Sequence, residues 1–132
     1  MEYDVVSGVS AGSFNTLGLA AFEKGKEEAC YDWLTNLWTS LKETDVIEEY
    51  PEGIVKAISE ESSVFTTDNL FKFLRAKYDK VAPVKDRNIF WNCADANSGT
   101  YIQLTETTDD PVKATISSGS IPFVFPPQWW PE

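Results

Sequence analysis

The sequence predicts an α/β fold in a single domain over residues 1–132, and the order of its apolar segments is the main reason. A short apolar run at 3–7 has the length of a strand, and after a glycine-rich turn it is followed by the longer apolar run of a helix. A second run of strand length, 88–95, follows two segments with helical spacing. An apolar fraction of 42%, with no repeat and no linker, indicates one folded core.

The turn between the first strand and the first helix carries the motif Gly8-Val9-Ser10-Ala11-Gly12. A G-x-S-x-G motif in this context is typical of a serine nucleophile held at the end of a sheet. We expect a side chain at Gly8 or Gly12 to crowd the strand and helix that meet there. The helix should direct its free N–H groups and positive dipole end toward Ser10. The motif therefore predicts a nucleophile, and the alternative is a structural Gly-Ser turn.

The chain contains no histidine, so a Ser-His-Asp triad cannot be completed within it. A zinc site is disfavoured for the same reason and because Cys30 and Cys93 lie far apart. The sequence thus predicts no metal and no cofactor. The group that activates Ser10 has to be a carboxylate, a lysine or a group from another chain.

The formal net charge of −10 argues against nucleic acid as a partner and against simple attraction to anionic membranes. No apolar run approaches the ~20 residues of a transmembrane helix, and no signal-peptide pattern opens the chain. Cys30 and Cys93 sit in apolar runs and are interpreted as reduced core residues. No compartment is assigned, although these features favour an intracellular protein.

The first strand, 3–7, is apolar on both faces, which favours a central place in the sheet. A buried helix is predicted at 12–24, with Gly25 placed to end it. The next helix, 26–42, carries an apolar stripe at three- and four-residue spacing: Cys30, Trp33, Leu34, Leu37, Trp38 and Leu41. Its two tryptophans fit either the core or a ligand groove, and packing is the commoner use.

The segment 43–66 is the least regular. Val46-Ile47 fits a short strand, Pro51 and Gly53 mark a turn, 54–58 fits a helical turn, and 60–63 is predicted to be an exposed loop. Thr67 is then a plausible N-cap for a helix that continues through Asp79.

An interior strand is predicted at 88–95, with a turn and a half-exposed returning strand at 100–106. Asp110-Pro111 has the pattern of an N-cap and first helical residue, ahead of a short helix at 112–118. Prolines forbid a regular element in the apolar segment up to Pro127, which is typical of a segment that lines a pocket or covers a sheet end. Trp129 and Trp130 are expected to need burial.

Three segments together resemble the patatin-like phospholipase family. They are the Gly8–Gly12 motif continued by Ser13, the strand and turn Asn92-Cys93-Ala94-Asp95-Ala96-Asn97-Ser98-Gly99, and Ala114-Thr115-Ile116-Ser117-Ser118-Gly119-Ser120-Ile121-Pro122 running into Phe125-Pro126-Pro127. The first resembles a nucleophile elbow. The second resembles the family's A-T-D-x-x-T-G hairpin, and the third its A-S-x-x-I-P-x-x-F-P-P segment.

The resemblance implies a three-layer α/β/α fold with a mostly parallel central sheet. It also implies a lipid acyl hydrolase, such as a phospholipase A, that uses a Ser-Asp dyad without histidine. Ser10 would then be the nucleophile, with lipid or another acyl ester as substrate. The Ala11 N–H would be one oxyanion donor, with Gly8 and Gly12 shaping the turn.

Two parts of the family pattern have no match in the 132 residues. The glycine-rich loop that supplies most of the oxyanion hole would precede Tyr3, and the Asp-Gly motif that carries the base would follow Pro127. None of Asp95, Asp109 and Asp110 matches the dyad position. The chain is therefore interpreted as the central part of such a domain, nearly inactive in isolation.

Two alternatives stay open. In the first, the chain is a non-catalytic interaction protein that covers its open sheet edge and terminal tryptophans with a partner or a second copy. In the second, it belongs to an α/β-hydrolase whose histidine and acid lie outside these residues, although the Ile121-Pro122 and Phe125-Pro126-Pro127 pattern weighs against this.

Overall fold

A three-stranded mixed sheet lies at the centre of the computed structural model, which describes residues 3–53, 63–78 and 82–131. The sheet contains β1 (Val5–Gly8), β4 (Asn88–Ala94) and β5 (Tyr101–Thr105), in the order β1-β4-β5. β1 and β4 are parallel, whereas β4 and β5 form an antiparallel hairpin. The α/β class is confirmed, and the described sheet has one parallel and one antiparallel pair.

The predicted central position of the first strand is wrong for the part of the chain that the structure describes. There β1 pairs with β4 alone and lies at the edge of the sheet, while β4 takes the central place. Val6 is buried, but Val5, on the opposite face, is 56% exposed. An apolar run of this length fits an edge strand with one covered face equally well, because only alternate side chains point to that face.

The helix after β1 is shorter than the sequence predicts. α1 spans Ala11–Leu19 and not 12–24. Two carbonyl groups beyond its end accept hydrogen bonds from the segment that leads into β4. Ala20 O accepts from the Val84 N–H (2.8 Å), and Phe22 O accepts from Arg87 Nη1 (2.6 Å). These tertiary bonds take the place of a further helical turn, and Gly25, at φ 87°, lies in a later turn.

The amphipathic helix α2 (Glu27–Ser40) is confirmed within two residues at each end. Cys30 and Leu37 are buried in it, and Leu34 fills the space beside Gly18 of α1. A Cβ on Gly18 would lie 2.5 Å from Leu34 Cδ2, so the two helices pack closely only because this residue is glycine.

The predicted strand at Val46-Ile47 is wrong. These residues fall at the end of a short helix, α3 (Glu43–Val46), and the strand that follows is β2 (Glu48–Glu49). β2 pairs in antiparallel fashion with β3 (Phe65–Thr66). The turn predicted at Pro51 and Gly53 is present, whereas the helical turn at 54–58 and most of the loop at 60–63 lie outside the described residues.

Helix α4 (Asp68–Lys77) begins directly after Thr67, as predicted, although the threonine side chain makes no capping hydrogen bond. Its predicted end at Asp79 lies outside the described residues. The last helix, α5 (Pro111–Gly119), contacts both β4 and α1. Together α1 and α5 cover the face of the sheet that carries Val6, Ile89 and Trp91, which are all buried.

Asp110 caps α5 as the sequence predicts, because its Oδ1 accepts the Lys113 N–H at 3.0 Å. The same carboxylate forms a two-point ion pair with Arg75 of α4, at 2.9 and 3.2 Å. Burial alone would raise the pKa of Asp110, but the bonds from Arg75 and from the Lys113 N–H outweigh it and hold the pKa below the ordinary 3.8.

We expect Asp110→Ala to lower the free energy of unfolding by about 1 kcal/mol at pH 7, mostly through loss of the cap. The ion pair adds little because the Arg75 side chain is half exposed. A pKa that is lowered in the folded state stabilises the protein above pH 3.8, and this contribution is lost as the pH falls through the folded-state pKa. Urea unfolding of both proteins should therefore differ at pH 7 and converge toward pH 2; an unchanged difference at acid pH would contradict the assignment.

The two terminal tryptophans differ, so the expectation that both need burial is only half right. Trp130 is half buried and its Nε1 donates to the Ser117 hydroxyl at 3.0 Å, but Trp129 is 75% exposed. Cys30 and Cys93 are both free, and burial raises the pKa of each thiol. Among the described helices, none is long and apolar enough to cross a membrane.

Candidate active site

Ser10 lies in a sharp turn between β1 and α1 and has an unusual backbone conformation. Its φ is 54° and its ψ is −124°, a region that only glycine adopts easily. Gly8–Gly12, called the Ser10 turn below, therefore has the strand–turn–helix geometry that the motif predicts. The Ser10 side chain is exposed and is not inside a helix. Such strain persists only where surrounding contacts enforce it.

Hydrogen bonds hold both peptide groups of Ser10. Its N–H donates to the hydroxyl of Ser118, in α5, at 3.0 Å. Its carbonyl accepts from the Ser13 hydroxyl at 2.5 Å and from the Ser13 N–H at 3.0 Å. The Ser13 hydroxyl is also 3.0 Å from the carbonyl of Thr115. The backbone is thus held on both sides of Ser10, and the side chains of Ser118 and Ser13 attach it to α5.

The two glycines of the motif behave differently. A Cβ on Gly8 would lie 2.5 Å from the carbonyl oxygen of Gly12 and closer still to Thr16 Oγ1. A Cβ on Gly12 would meet nothing within 4 Å. The crowding predicted at Gly8 is therefore confirmed, whereas that predicted at Gly12 is wrong, because the first turn of α1 leaves that side open.

Asn92 of β4 holds the end of β1 from the side. Its Nδ2 donates to the Ser7 hydroxyl (2.8 Å) and to the Gly8 carbonyl (2.9 Å). Its Oδ1 accepts from the Tyr101 hydroxyl and from Gln103 Nε2 (3.1 Å) on β5. Only 8% of Asn92 is exposed, so its amide is buried with its hydrogen-bonding groups occupied. These bonds fix the strand that leads into the Ser10 turn.

An apolar cavity of about 230 Å³ opens beside Ser10, at the carboxyl end of β1. All five helices described above contribute to its wall. The lining residues are Ser10, Ala11, Phe14, Trp38, Leu41, Val46, Thr67, Leu70, Ile116, Gly119, Ser120, Ile121 and Phe125. None of them carries a charge, so the cavity suits a hydrocarbon chain better than a polar group.

The aromatic stripe of α2 divides between the core and this cavity. Trp33 packs against Tyr78 and donates from Nε1 to the carbonyl of Lys77 (3.2 Å), as the core interpretation predicts. For Trp38 that interpretation is wrong: it is 41% exposed, lines the cavity, and lies 5.7 Å from Phe14, ring centre to ring centre. Its Nε1 donates to Asn15 Oδ1 at 2.8 Å, which fixes the indole at the cavity wall.

The three aspartates considered in the sequence lie away from the cavity wall. Asp95 closes its own turn, and hydrogen bonds from the Ser98 hydroxyl and the Asn97 N–H hold its pKa below the ordinary value. Asp110 caps α5, and Asp109 lines a second, more polar depression beside Lys113. Within residues 3–53, 63–78 and 82–131, no side chain forms a hydrogen bond with the Ser10 hydroxyl.

Ala11 is the first residue of α1, where a backbone N–H has no acceptor in the preceding helical turn. This N–H lies next to Ser10 at the positive end of the helix dipole. The described part of the chain holds no group of three His, Cys, Asp or Glu side chains that fits a metal ion. The site thus combines an exposed hydroxyl, a helix N-terminus and an apolar cavity.

Sequence reasoning missed Ser118 and Asn92 as parts of the site. Both lie in the segments that carry the family resemblance, and Ser118 falls at the serine of the A-S-x-x-I-P pattern. The available signal was a polar Asn92 inside an otherwise apolar interior strand, because a buried amide needs partners nearby.

The whole chain, residues 1–132, matches the sequence profile of the family described as Patatin-like phospholipase. No curated protein matches the chain with significance. The family match covers β1 and α1 with the Ser10 turn, the β4–β5 hairpin and α5, and not the short motif alone. The chain therefore belongs to the patatin-like phospholipase family.

Proposed function

We propose that the protein is a lipid acyl hydrolase in which Ser10 attacks the acyl ester and the apolar cavity holds the acyl chain. The proposal includes a Ser-Asp dyad, and an intact domain with a three-layer α/β/α arrangement around a mostly parallel sheet. Lipid acyl ester hydrolysis is the activity of the family to which the chain belongs. The apolar wall around Ser10 supports a substrate with a long hydrocarbon part.

In this reaction Ser10 Oγ forms a bond to the ester carbonyl carbon and gives its proton to the dyad aspartate. The tetrahedral oxyanion accepts a hydrogen bond from the Ala11 N–H at the helix N-terminus. The oxyanion then collapses, the alcohol leaves with the proton from the aspartate, and the acyl group stays on Ser10. Water then attacks this ester and gives a proton to the same aspartate, which passes it to Ser10 Oγ as the serine leaves and the fatty acid is released.

We infer that the aspartate of the dyad is not one of residues 1–132. Among the described residues, none that lines the cavity is acidic, and Asp95 and Asp110 are each engaged in capping their own element. A serine hydroxyl without a base is a weak nucleophile. We therefore infer that residues 1–132 alone hydrolyse esters poorly, whereas the intact protein hydrolyses them well.

The backbone conformation of Ser10 is the observation on which the proposal mainly rests. A non-glycine residue at φ 54°, ψ −124° costs about 1–3 kcal/mol and is retained mainly at functional sites. The same conformation places the hydroxyl at the mouth of an apolar cavity beside the N-terminus of α1. A merely structural turn at this place would be satisfied by glycine.

We expect an alkyl fluorophosphonate to label the intact protein at Ser10 and at no other serine, as read by mass spectrometry of the digested protein. Ser10→Ala should abolish labelling. The matched control is Ser120→Ala, because Ser120 lines the same cavity but its hydroxyl donates to the carbonyl of Ile116 at 2.7 Å.

The length of the probe's alkyl chain tests the cavity. A long-chain probe should label the intact protein faster than a methyl analogue if the cavity holds hydrocarbon. Residues 1–132 alone should be labelled much more slowly than the intact protein. Labelling that survives Ser10→Ala, or that falls equally in Ser120→Ala, would contradict the proposed nucleophile.

A further inference from the structure

The Ser118 hydroxyl lies between the Ser10 turn and the central strand. It donates its single proton to the carbonyl of Asn92 in β4, at 2.7 Å. With that proton engaged, its lone pairs face the Ser10 N–H, which lies 3.0 Å away. The Ser118 side chain thus connects the N–H of Ser10 to strand β4. The same strand also holds β1, through the side chain of Asn92.

This contact acts on the strained part of the turn. The peptide group that ends in the Ser10 nitrogen determines φ of Ser10, and the Ser10 carbonyl is already held by Ser13. From outside the turn, the Ser10 N–H is bound by the Ser118 hydroxyl. Without it, the backbone is free to relax toward a common φ, which would move both the Ser10 hydroxyl and the adjacent Ala11 N–H.

We propose that Ser118 is a positioning residue for the acyl transfer, which holds the Ser10 backbone so that nucleophile and oxyanion donor keep their relative geometry. This inference rests on the proposed function. Ser118 touches no reacting atom; it acts through the Ser10 N–H. The effect falls on the rate of the chemical step and not on substrate binding, because Ser118 is absent from the cavity wall.

The test compares Ser118→Ala with Ser117→Ala in the intact protein. Ser117 is the adjacent residue of α5 and is also half buried. Its hydroxyl donates to the carbonyl of Lys113 at 2.7 Å and accepts from Trp130 Nε1, with no bond to the Ser10 turn. Both variants therefore lose a half-buried hydroxyl with two hydrogen bonds, and only Ser118→Ala loses the contact with Ser10.

We expect Ser118→Ala to lower kcat on a short-chain ester about 10- to 100-fold with KM within about twofold, since small misplacements of reacting groups carry costs of this size. Ser117→Ala should keep kcat near that of the unmodified protein. Ser118→Thr, which keeps the hydroxyl, should recover most of the activity. Amide hydrogen exchange at Ser10, followed by NMR, should accelerate in Ser118→Ala alone, and this readout does not depend on catalysis.

Equal losses of kcat in the two variants, or unchanged exchange at Ser10 in Ser118→Ala, would overturn the positioning role. If Ser10→Ala leaves activity intact, the proposed function itself fails. If Ser10→Ala abolishes activity while Ser118→Ala behaves like the unmodified protein, only the present inference fails.

Discussion

Ser10→Ala is expected to lower ester hydrolysis by the intact protein at least about 10³-fold, because it removes the only atom proposed to form the acyl-enzyme. Ser10→Gly should abolish hydrolysis equally. The two variants should differ in stability. Alanine keeps the Cβ that makes φ 54°, ψ −124° unfavourable, whereas glycine adopts this region easily.

We therefore expect the free energy of unfolding of Ser10→Gly to be about 1 kcal/mol higher than that of Ser10→Ala. Glycine relieves the backbone strain, and this gain is larger than the loss caused by the greater freedom of glycine in the unfolded chain. Steady-state kinetics and urea unfolding of the three proteins check both statements. Retained hydrolysis in Ser10→Ala would disprove the nucleophile, and equal stability of the two variants would disprove the strain.

Gly8→Ala is expected to destabilise the protein by about 3 kcal/mol, the upper part of the range for an added group in a packed site. The new methyl group would lie 2.5 Å from the Gly12 carbonyl oxygen and 2.8 Å from its carbon. Neither atom can move away without distorting the first turn of α1. The Ser10 turn should lose its geometry as well, so activity should fall with stability.

Gly12→Ala is the matched control, because it adds the same methyl group within the same motif. A Cβ there meets nothing within 4 Å, and alanine is the better helix former. We expect this variant to be unchanged or up to about 1 kcal/mol more stable. Opposite signs for the two glycines in urea unfolding would support the argument, and a similar loss in both would contradict it.

Hydrophobic spacing predicted α2, α4 and the β4–β5 hairpin well, because the burial of each depends on a pattern within its own residues. The end of α1 could not be predicted in this way. The carbonyl groups of Ala20 and Phe22 are bound by Val84 and Arg87, which lie more than sixty positions further along the chain. The edge position of β1 has the same origin, since strand order depends on partners that a local pattern does not specify.

The candidate site, like the fold, was predicted from the sequence only in part. The motif and its context predicted the turn at Ser10 and the close approach at Gly8. The sequence did not separate Trp33 from Trp38, because both fall on one helical stripe, although one packs inside and the other lines the cavity. Helical spacing also did not separate Ser118 from Ser117, since both are serines of one short helix and only the tertiary structure shows which one meets Ser10.

The Ser10 turn is held by residues that are synthesised long after it. Its acceptor on α5 lies 108 positions downstream, and the amide that holds Gly8 lies 84 positions downstream. A nascent chain that has left the ribosome only as far as β4 therefore lacks the acceptor for the Ser10 N–H. The reactive arrangement consequently arises only after α5 has been synthesised, as a product of long-range docking and not of the five-residue motif itself.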